Sequence, residues 1–187
     1  MFDHHAFAHA ITNAADQLRS AEAALSALGC PEINQLSINL ADLSGENIEE
    51  LLENIPTGFA KKDKKTDFIY IIAFSPLHES DLNGMRDLLE DARRTDNDLP
   101  RINAISKATK ALYVGRSKTL RGRLRQHLGA DNRGVYSLHL QRWATCLTFE
   151  LTIYFMRFDG ADNLLVQAVE DGIWASLSPA FGRKGER

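Results

Sequence analysis

Apolar and polar positions alternate between two rhythms along this chain, and the rhythm changes mark its elements. Over residues 2–28, Phe7, Ile11, Leu18, Leu25 and Leu28 recur at helical spacings in an alanine-rich background, which predicts an amphipathic helix. Gly29-Cys30-Pro31 ends it, because proline cannot continue a helix. Leu36–Leu40 alternates like a strand. Ser44 is placed to cap a helix over Asn47–Asn54, with Glu46, Glu49 and Glu50 near the positive N-terminal end. Phe68–Phe74 is almost continuously apolar, as in a central strand. Leu82, Met85, Leu88 and Leu89 predict a helix over Ser80–Arg94. Ala111–Gly115 is a short apolar strand, and Leu120, Leu124 and Leu128 lie on one face of a helix over Thr119–Leu128. Ser137–Ala144 reads as helical. Leu147–Phe158 alternates, with Leu147, Phe149, Leu151, Ile153 and Phe155 on one side, as a half-buried antiparallel strand does. Asp162 or Asn163 caps a last helix to Leu177, Pro179 closes it, and Phe181 anchors a basic tail.

The order of elements predicts an α/β fold: a small, mainly antiparallel, three-stranded sheet from Phe68–Phe74, Ala111–Gly115 and Leu147–Phe158, flanked by helices. Two regions are expected, an accessory helical segment over 1–58 and the main domain over 59–187, joined by the polar run Lys61–Lys65. At 187 residues the chain can bury one substantial core. No apolar run approaches the ~20 residues that span a bilayer, and Met1–His5 lacks a basic leader, so no membrane association and a cytoplasmic location are expected. Cys30 and Cys146 are far apart and lack metal-ligand spacing, which reads as two buried, reduced thiols.

Charge alters this picture more than composition does. The net charge is −3, which by itself argues against nucleic acid. Yet residues 1–58 hold one basic residue, Arg19, against nine acidic ones, while residues 101–150 hold ten Lys and Arg against Asp131 and Glu150. Local positive charge, rather than the chain total, is what attracts a phosphate backbone. The acidic segment is a candidate surface for a protein partner or for dimerisation.

The basic region centres on Ala111-Leu112-Tyr113-Val114-Gly115-Arg116-Ser117-Lys118-Thr119-Leu120-Arg121-Gly122-Arg123-Leu124-Arg125-Gln126-His127-Leu128. A strand ends there in Tyr-Val-Gly and a helix opens just beyond it. Arg123 and His127, four apart, are neighbours on the helix surface. A phenol, a guanidinium and an imidazole beside a glycine turn suit the holding of a phosphodiester and the movement of a proton.

This block resembles the second half of the GIY-YIG nuclease signature, a strand ending Tyr-(Ile/Val)-Gly followed by a helix with Leu-x-x-Arg-(Leu/Trp)-x-x-His. Phe68-Ile69-Tyr70 is the counterpart of Gly-Ile-Tyr, Glu170 suits the signature's glutamate, and Pro179–Lys184 is similar to its closing Pro-x-(Leu/Phe)-Asn-x-Lys. Three departures stand out. Phe68 replaces the first glycine, Gly182 stands where the family often has Asn, and 43 positions separate Tyr70 from Tyr113 where about ten are usual, so residues 75–110 form an insertion.

The resemblance implies metal-dependent hydrolysis of DNA, with one Mg²⁺ or Mn²⁺ on Glu170 and an activated water. Tyr70 and Tyr113 would face the scissile phosphate, Arg123 would clamp it, and His127 would orient water or touch the phosphate. Arg116, Lys118, Arg121, Arg125 and Lys184 are the expected contacts to flanking phosphates. The alternatives are a non-cleaving nucleic-acid-binding module of the same fold and a protein-interaction domain.

Overall fold

The computed structural model describes residues 4–57, 66–75, 79–104, 109–129 and 134–184. The expected Lys61–Lys65 linker and the Asp131–Arg133 part of a predicted turn lie outside them. Among the described residues there are four strands, β1 (Ile33–Asn39), β2 (Thr66–Phe74), β3 (Ala111–Ser117) and β4 (Glu150–Asp159), and five α-helices, α1 (His4–Ala27), α2 (Gly45–Leu51), α3 (Glu79–Arg93), α4 (Leu120–Leu128) and α5 (Asn163–Leu177). The fold is α/β, with the strands forming one antiparallel sheet in the order β1-β4-β2-β3.

The sheet therefore has one strand more than the sequence predicts. β1 pairs with β4 from Ile33↔Met156 to Asn39↔Glu150. Ile38, Leu40, Leu43, Ile48, Leu52 and Ile55 join the main core. Residues 33–55 are thus built into the sheet and its core and are not an appendage. Only α1 stands largely exposed, with Ile11, Leu18 and Leu25 open to solvent. Adding β1 also makes β4 an interior strand. Thr152 and Met156 are buried along with Leu151, Ile153 and Phe155 because the second face is covered too, Met156 and Phe158 packing with Val166 of α5, so β4 is not half-exposed as its alternation suggests.

β2 lies between β4 and β3, which explains its continuous apolar run. Phe68, Tyr70, Ile72 and Phe74 face the main core, where Ile48 of α2, Leu82, Met85 and Leu89 of α3, and Leu120, Leu124 and Leu128 of α4 also pack. Ile69 faces the other side and meets Met156, Phe158 and Val166 of α5. The sheet is thus sandwiched, with α2, α3 and α4 on one face and α5 on the other.

Helix ends follow the expected chemistry. The Ser44 side chain accepts from Asn47 N–H to cap α2, and Asp162 accepts from Leu164 N–H at 2.7 Å to cap α5. The predicted helix over Ser137–Ala144 is instead a short 3-10 turn at Leu140–Arg142, entered through His139 in the left-handed region (φ 49°). Both thiols are exposed and unpaired, contrary to the expectation of burial.

The insertion has two structural jobs. Each buried apolar side chain of α3 contributes about 1.5–3 kcal/mol to the core. Arg101–Asn103, in turn, covers a sheet edge. The C-terminal segment runs along the outer side of β3, with Ala180 N–H donating to Ala111 O and Phe181 N–H to Leu112 O, both at 2.9 Å. Ile102 bridges Phe181, and Asn103 N–H donates to Ala180 O at 2.8 Å. An edge that would otherwise offer free hydrogen-bonding groups is closed in this way.

Candidate active site

Strand register assembles the site. Tyr70 pairs with Gly115 and Ile72 with Tyr113, so both tyrosines and the glycine point to the same face of the sheet. The two phenol rings stack with centroids 6.1 Å apart and planes 15° from parallel. Gly115 makes this possible. A Cβ there would fall 2.6 Å from the Tyr70 hydroxyl and 2.7 Å from Tyr113 Cε1, closer than any side chain can come. The separation of 43 positions does not alter the pairing, because the insertion leaves from one end of β2 and returns at the start of β3.

α4 starts directly after β3 and aims Arg123 and His127 at the tyrosines. Arg123 Nε–H donates to Tyr70 Oη at 3.3 Å and Nη2–H to Tyr113 Oη at 3.5 Å. The rest of the fork is held by Gln126 Oε1 at 2.8 Å and the carbonyl of Tyr136 at 2.6 Å. Gln126, three residues on from Arg123, was open to detection by helical spacing. The Tyr136 carbonyl, supplied by a loop, leaves no signal in a sequence.

His127 is fully buried, not on the helix surface. Its Nδ1 accepts from Leu138 N–H at 3.1 Å. The ring proton of the neutral imidazole must then sit on Nε2, which donates to Tyr70 Oη at 2.9 Å. Burial first, and then the charge of Arg123 and the neighbouring His139, push the His127 pKa well below its usual value. The imidazole is therefore a neutral donor that positions Tyr70 and has no exposed nitrogen for water. Tyr70 Oη accepts two N–H bonds, which leaves its own proton for a third partner that neither Arg123 nor His127 supplies.

Both phenols are nearly fully buried and both pKa values are raised. For Tyr70 the causes are burial and then the charge on Tyr113, opposed by Arg123. For Tyr113 burial again leads, with Arg123 opposing. Glu170 adds to the rise in both cases, so its carboxylate on α5 acts electrostatically on both tyrosines. α5 packs against β3 and β2 on the face of the sheet opposite α4, so Glu170 and Arg123 come from helices on opposite faces. Glu170 is 7% exposed, and burial raises its own pKa, with Asp171 and Asp67 adding and Arg116 and a hydrogen bond from Gln167 opposing.

The flanking cations divide into two groups. Arg116 grips Asp67 through Nε at 3.1 Å and Nη2 at 3.0 Å, and also bonds Asn163, so its fork is already filled and it is not a free phosphate contact. Arg125 pairs with Glu49 of α2 at 2.7 Å across a solvent-exposed surface, an arrangement that a competing phosphate can break. Lys184 lies 3.7 Å from Asp171. Lys118 is exposed and Arg121 partly exposed at the start of α4.

A divalent ion can be tested against these residues. Among the described residues no group of three or more His, Cys, Asp or Glu side chains is arranged around a common point. One buried carboxylate, Glu170, has a raised pKa that a cation would relieve, because the guanidinium that most opposes the rise, Arg116, is committed to Asp67. That donor set fits a hard cation such as Mg²⁺, which takes one or two carboxylates and completes its shell with water and phosphate oxygens.

No family model, curated protein or solved structure matches the chain. The GIY-YIG resemblance rests on the motif residues themselves. No helix among the described residues is long and apolar enough to cross a membrane.

Proposed function

We propose that this protein is a metal-dependent endonuclease of the GIY-YIG type, a cytoplasmic enzyme that hydrolyses DNA phosphodiester bonds. The observation that carries the reading is the engagement of both phenols by one guanidinium, with the charge of Glu170 felt at both. Three chain segments that are remote in sequence supply these groups.

Glu170 would hold Mg²⁺ or Mn²⁺, which when bound supplies charge to a phosphate oxygen and makes water more acidic. The chain's own groups do the rest. Arg123 presents a planar fork to the equatorial oxygens of the phosphoryl transition state. Tyr70, locked by His127 and Arg123, offers its remaining proton to a phosphate oxygen or a water. The Tyr113 hydroxyl takes one hydrogen bond, 3.5 Å from Arg123, against two at Tyr70, and so is the better placed to exchange a proton with the nucleophile. Lys118, Arg121, Arg125 and Lys184 would draw flanking phosphates.

One observation favours a second reading, a non-cleaving nucleic-acid-binding module. The Arg123 fork is filled by Tyr70, Tyr113, Gln126 and Tyr136, and both phenols are buried with raised pKa values. Such a set can serve purely to hold α4 on the sheet. Incubation of the purified protein with supercoiled, linear and branched DNA, in Mg²⁺, Mn²⁺ or chelator, separates the two. Nicking that needs metal and is lost in Glu170→Gln supports the enzyme. DNA retention without cleavage in either metal supports the module.

A further inference from the structure

The arginines of this protein sort by whether an acidic side chain holds them. Arg19, Arg94, Arg116, Arg125, Arg142 and Arg157 each pair with a carboxylate. Among the described residues, Arg86, Arg93, Arg101, Arg121, Arg123 and Arg183 have no carboxylate at ion-pair distance. Setting aside Arg121, Arg86, Arg101, Arg123 and Arg183 are linked through shared partners, and Arg93 lines the same cleft as Arg86.

The links begin at the candidate active site. The Tyr136 carbonyl holds Arg123, its hydroxyl accepts from Arg101 N–H at 3.3 Å, and its ring lies under the Arg183 guanidinium, 5.0 Å from the centroid. Arg101 Nε–H donates to Asn103 Oδ1 at 3.0 Å, and Arg86 donates to the Asn103 carbonyl at 3.3 Å. Asn103 itself is buried and fixed by Pro179 O at 2.9 Å. Beyond it, Arg86 and Arg93 of α3 line an open cleft of about 470 Å³ with Glu90, Arg94 and Ile102. Arg94 is turned to Asp91, so Arg86 and Arg93 outweigh the single Glu90.

We propose that this strip is a second phosphate-binding site for the nucleic-acid backbone, built by the insertion and the C-terminal segment, on which the strand flanking the scissile phosphate lies. The inference rests on the nucleic-acid reading above and extends it to residues that the motif does not include. Guanidinium groups left without carboxylates cost repulsion between like charges, which bound phosphates offset. Burial of Asn103 sets the spacing of Arg86 and Arg101, and Tyr136 ties Arg101 and Arg183 to Arg123. The strip and the candidate site therefore share one rigid frame.

The test measures binding of a labelled DNA duplex in chelator over a series of NaCl concentrations. It compares the parent with Arg93→Ala, Arg183→Ala and, as a control outside the strip, Arg19→Ala on α1. Each of the first two should weaken binding and lower the slope of log affinity against log salt by about 0.9 for a duplex, or about 0.7 for a single strand. Arg19→Ala should leave the slope unchanged, since Arg19 lies on α1 and lines no part of the strip. Circular dichroism confirms that these surface variants fold. Equal slopes for Arg93→Ala, Arg183→Ala and the parent overturn the proposal. So does Arg93-dependent binding of polyglutamate by a protein that does not bind DNA, which would make the strip a site for an acidic protein segment. A normal slope loss in a parent that never cleaves upholds the strip and overturns the hydrolase reading alone.

Discussion

Gly182 lies against the ring of Tyr113 so closely that a Cβ would come within 2.6 Å of Cε2 and 2.8 Å of Cδ2. Its φ of +96° is in the region that favours glycine. The ring it touches is buried and stacked on Tyr70, so it cannot easily give way. Gly182→Asn, which restores the residue that the GIY-YIG resemblance expects, should therefore destabilise the protein by at least ~1–3 kcal/mol, the usual cost of such backbone strain. Urea unfolding of the variant against the parent checks this. An unchanged midpoint would mean that Tyr113 can move aside.

Gly115→Ala presses on both phenols at once. A methyl group at 2.6 Å from the Tyr70 hydroxyl forces that oxygen off its bonds to Arg123 and His127. Activity should fall by on the order of 10²-fold or more, as when one preorganised donor is lost. The tyrosine fluorescence and near-UV dichroism should shift as the stacked pair separates. Full activity in Gly115→Ala would show that the alignment of the phenols does not matter.

The neutral His127 predicts a stability that depends on pH in a definite direction. The folded pKa lies well below the unfolded value of 6.5. Above pH ~6.5 neither state is protonated at this site, and the contribution is complete. As pH falls below that, the unfolded chain takes up a proton that the folded one refuses. Stability should drop by about 1.4 kcal/mol per pH unit until the folded pKa is reached. His127→Gln keeps a donor for Tyr70 and removes the titration. Denaturant midpoints at pH 7 and pH 5 should converge in that variant and diverge in the parent.

Glu170 works in the opposite sense. Burial raises its folded pKa above 4.5, so the folded state binds the proton more tightly and gains stability as pH falls through that window. At neutral pH the ionised side chain is a burden, and Glu170→Gln should melt higher than the parent. For a chain of this length each 1 kcal/mol corresponds to about 2–4 °C. The difference should vanish near pH 4. If the proposed function is right, the more stable variant cannot cleave. A variant that melts higher and still nicks DNA would remove Glu170 from the metal site.

Arg123→Lys tests the geometry of the fork. A lysine keeps the charge but cannot reach Tyr70, Tyr113, Gln126 and Tyr136 together. DNA affinity should stay within a few-fold, while cleavage falls about as far as in Arg123→Ala. Rescue of cleavage by lysine would reduce the role of Arg123 to charge alone.

Much of the site was readable in advance because short-range rules place it. The Tyr113-Val114-Gly115 strand and the four-residue spacing of Arg123 and His127 fix relative positions within one strand and one helix. Burial depends on what comes from elsewhere. His127 looked exposed because the sequence does not reveal that Leu138 N–H and Tyr70 close over it. Arg116 looked available because Asp67, 49 positions away, comes within reach only through the β2–β3 register, which pairs Arg116 with Ile69, two residues from Asp67 along the same face. The Leu36–Leu40 alternation marks a strand, but its start at Ile33 and its place in the sheet were not legible, for a related reason. Ile33, Asn34 and Gln35 are exposed at the sheet edge and show little alternation, and only Ile38 is fully buried. Their place in the sheet comes from pairing with β4.

That pairing has a consequence for how the protein is made. β1 ends at Asn39 and its one strand neighbour among the described residues, β4, starts at Glu150. A ribosome adding about 5–20 residues per second delivers the partner roughly 5–20 s later. Through that interval Leu40, Ile48 and Leu52 have no completed sheet to pack against. Acidic residues cluster on the same stretch, from Glu32 to Glu53. Their like charge disfavours association between chains in which the first strand still lacks its partner.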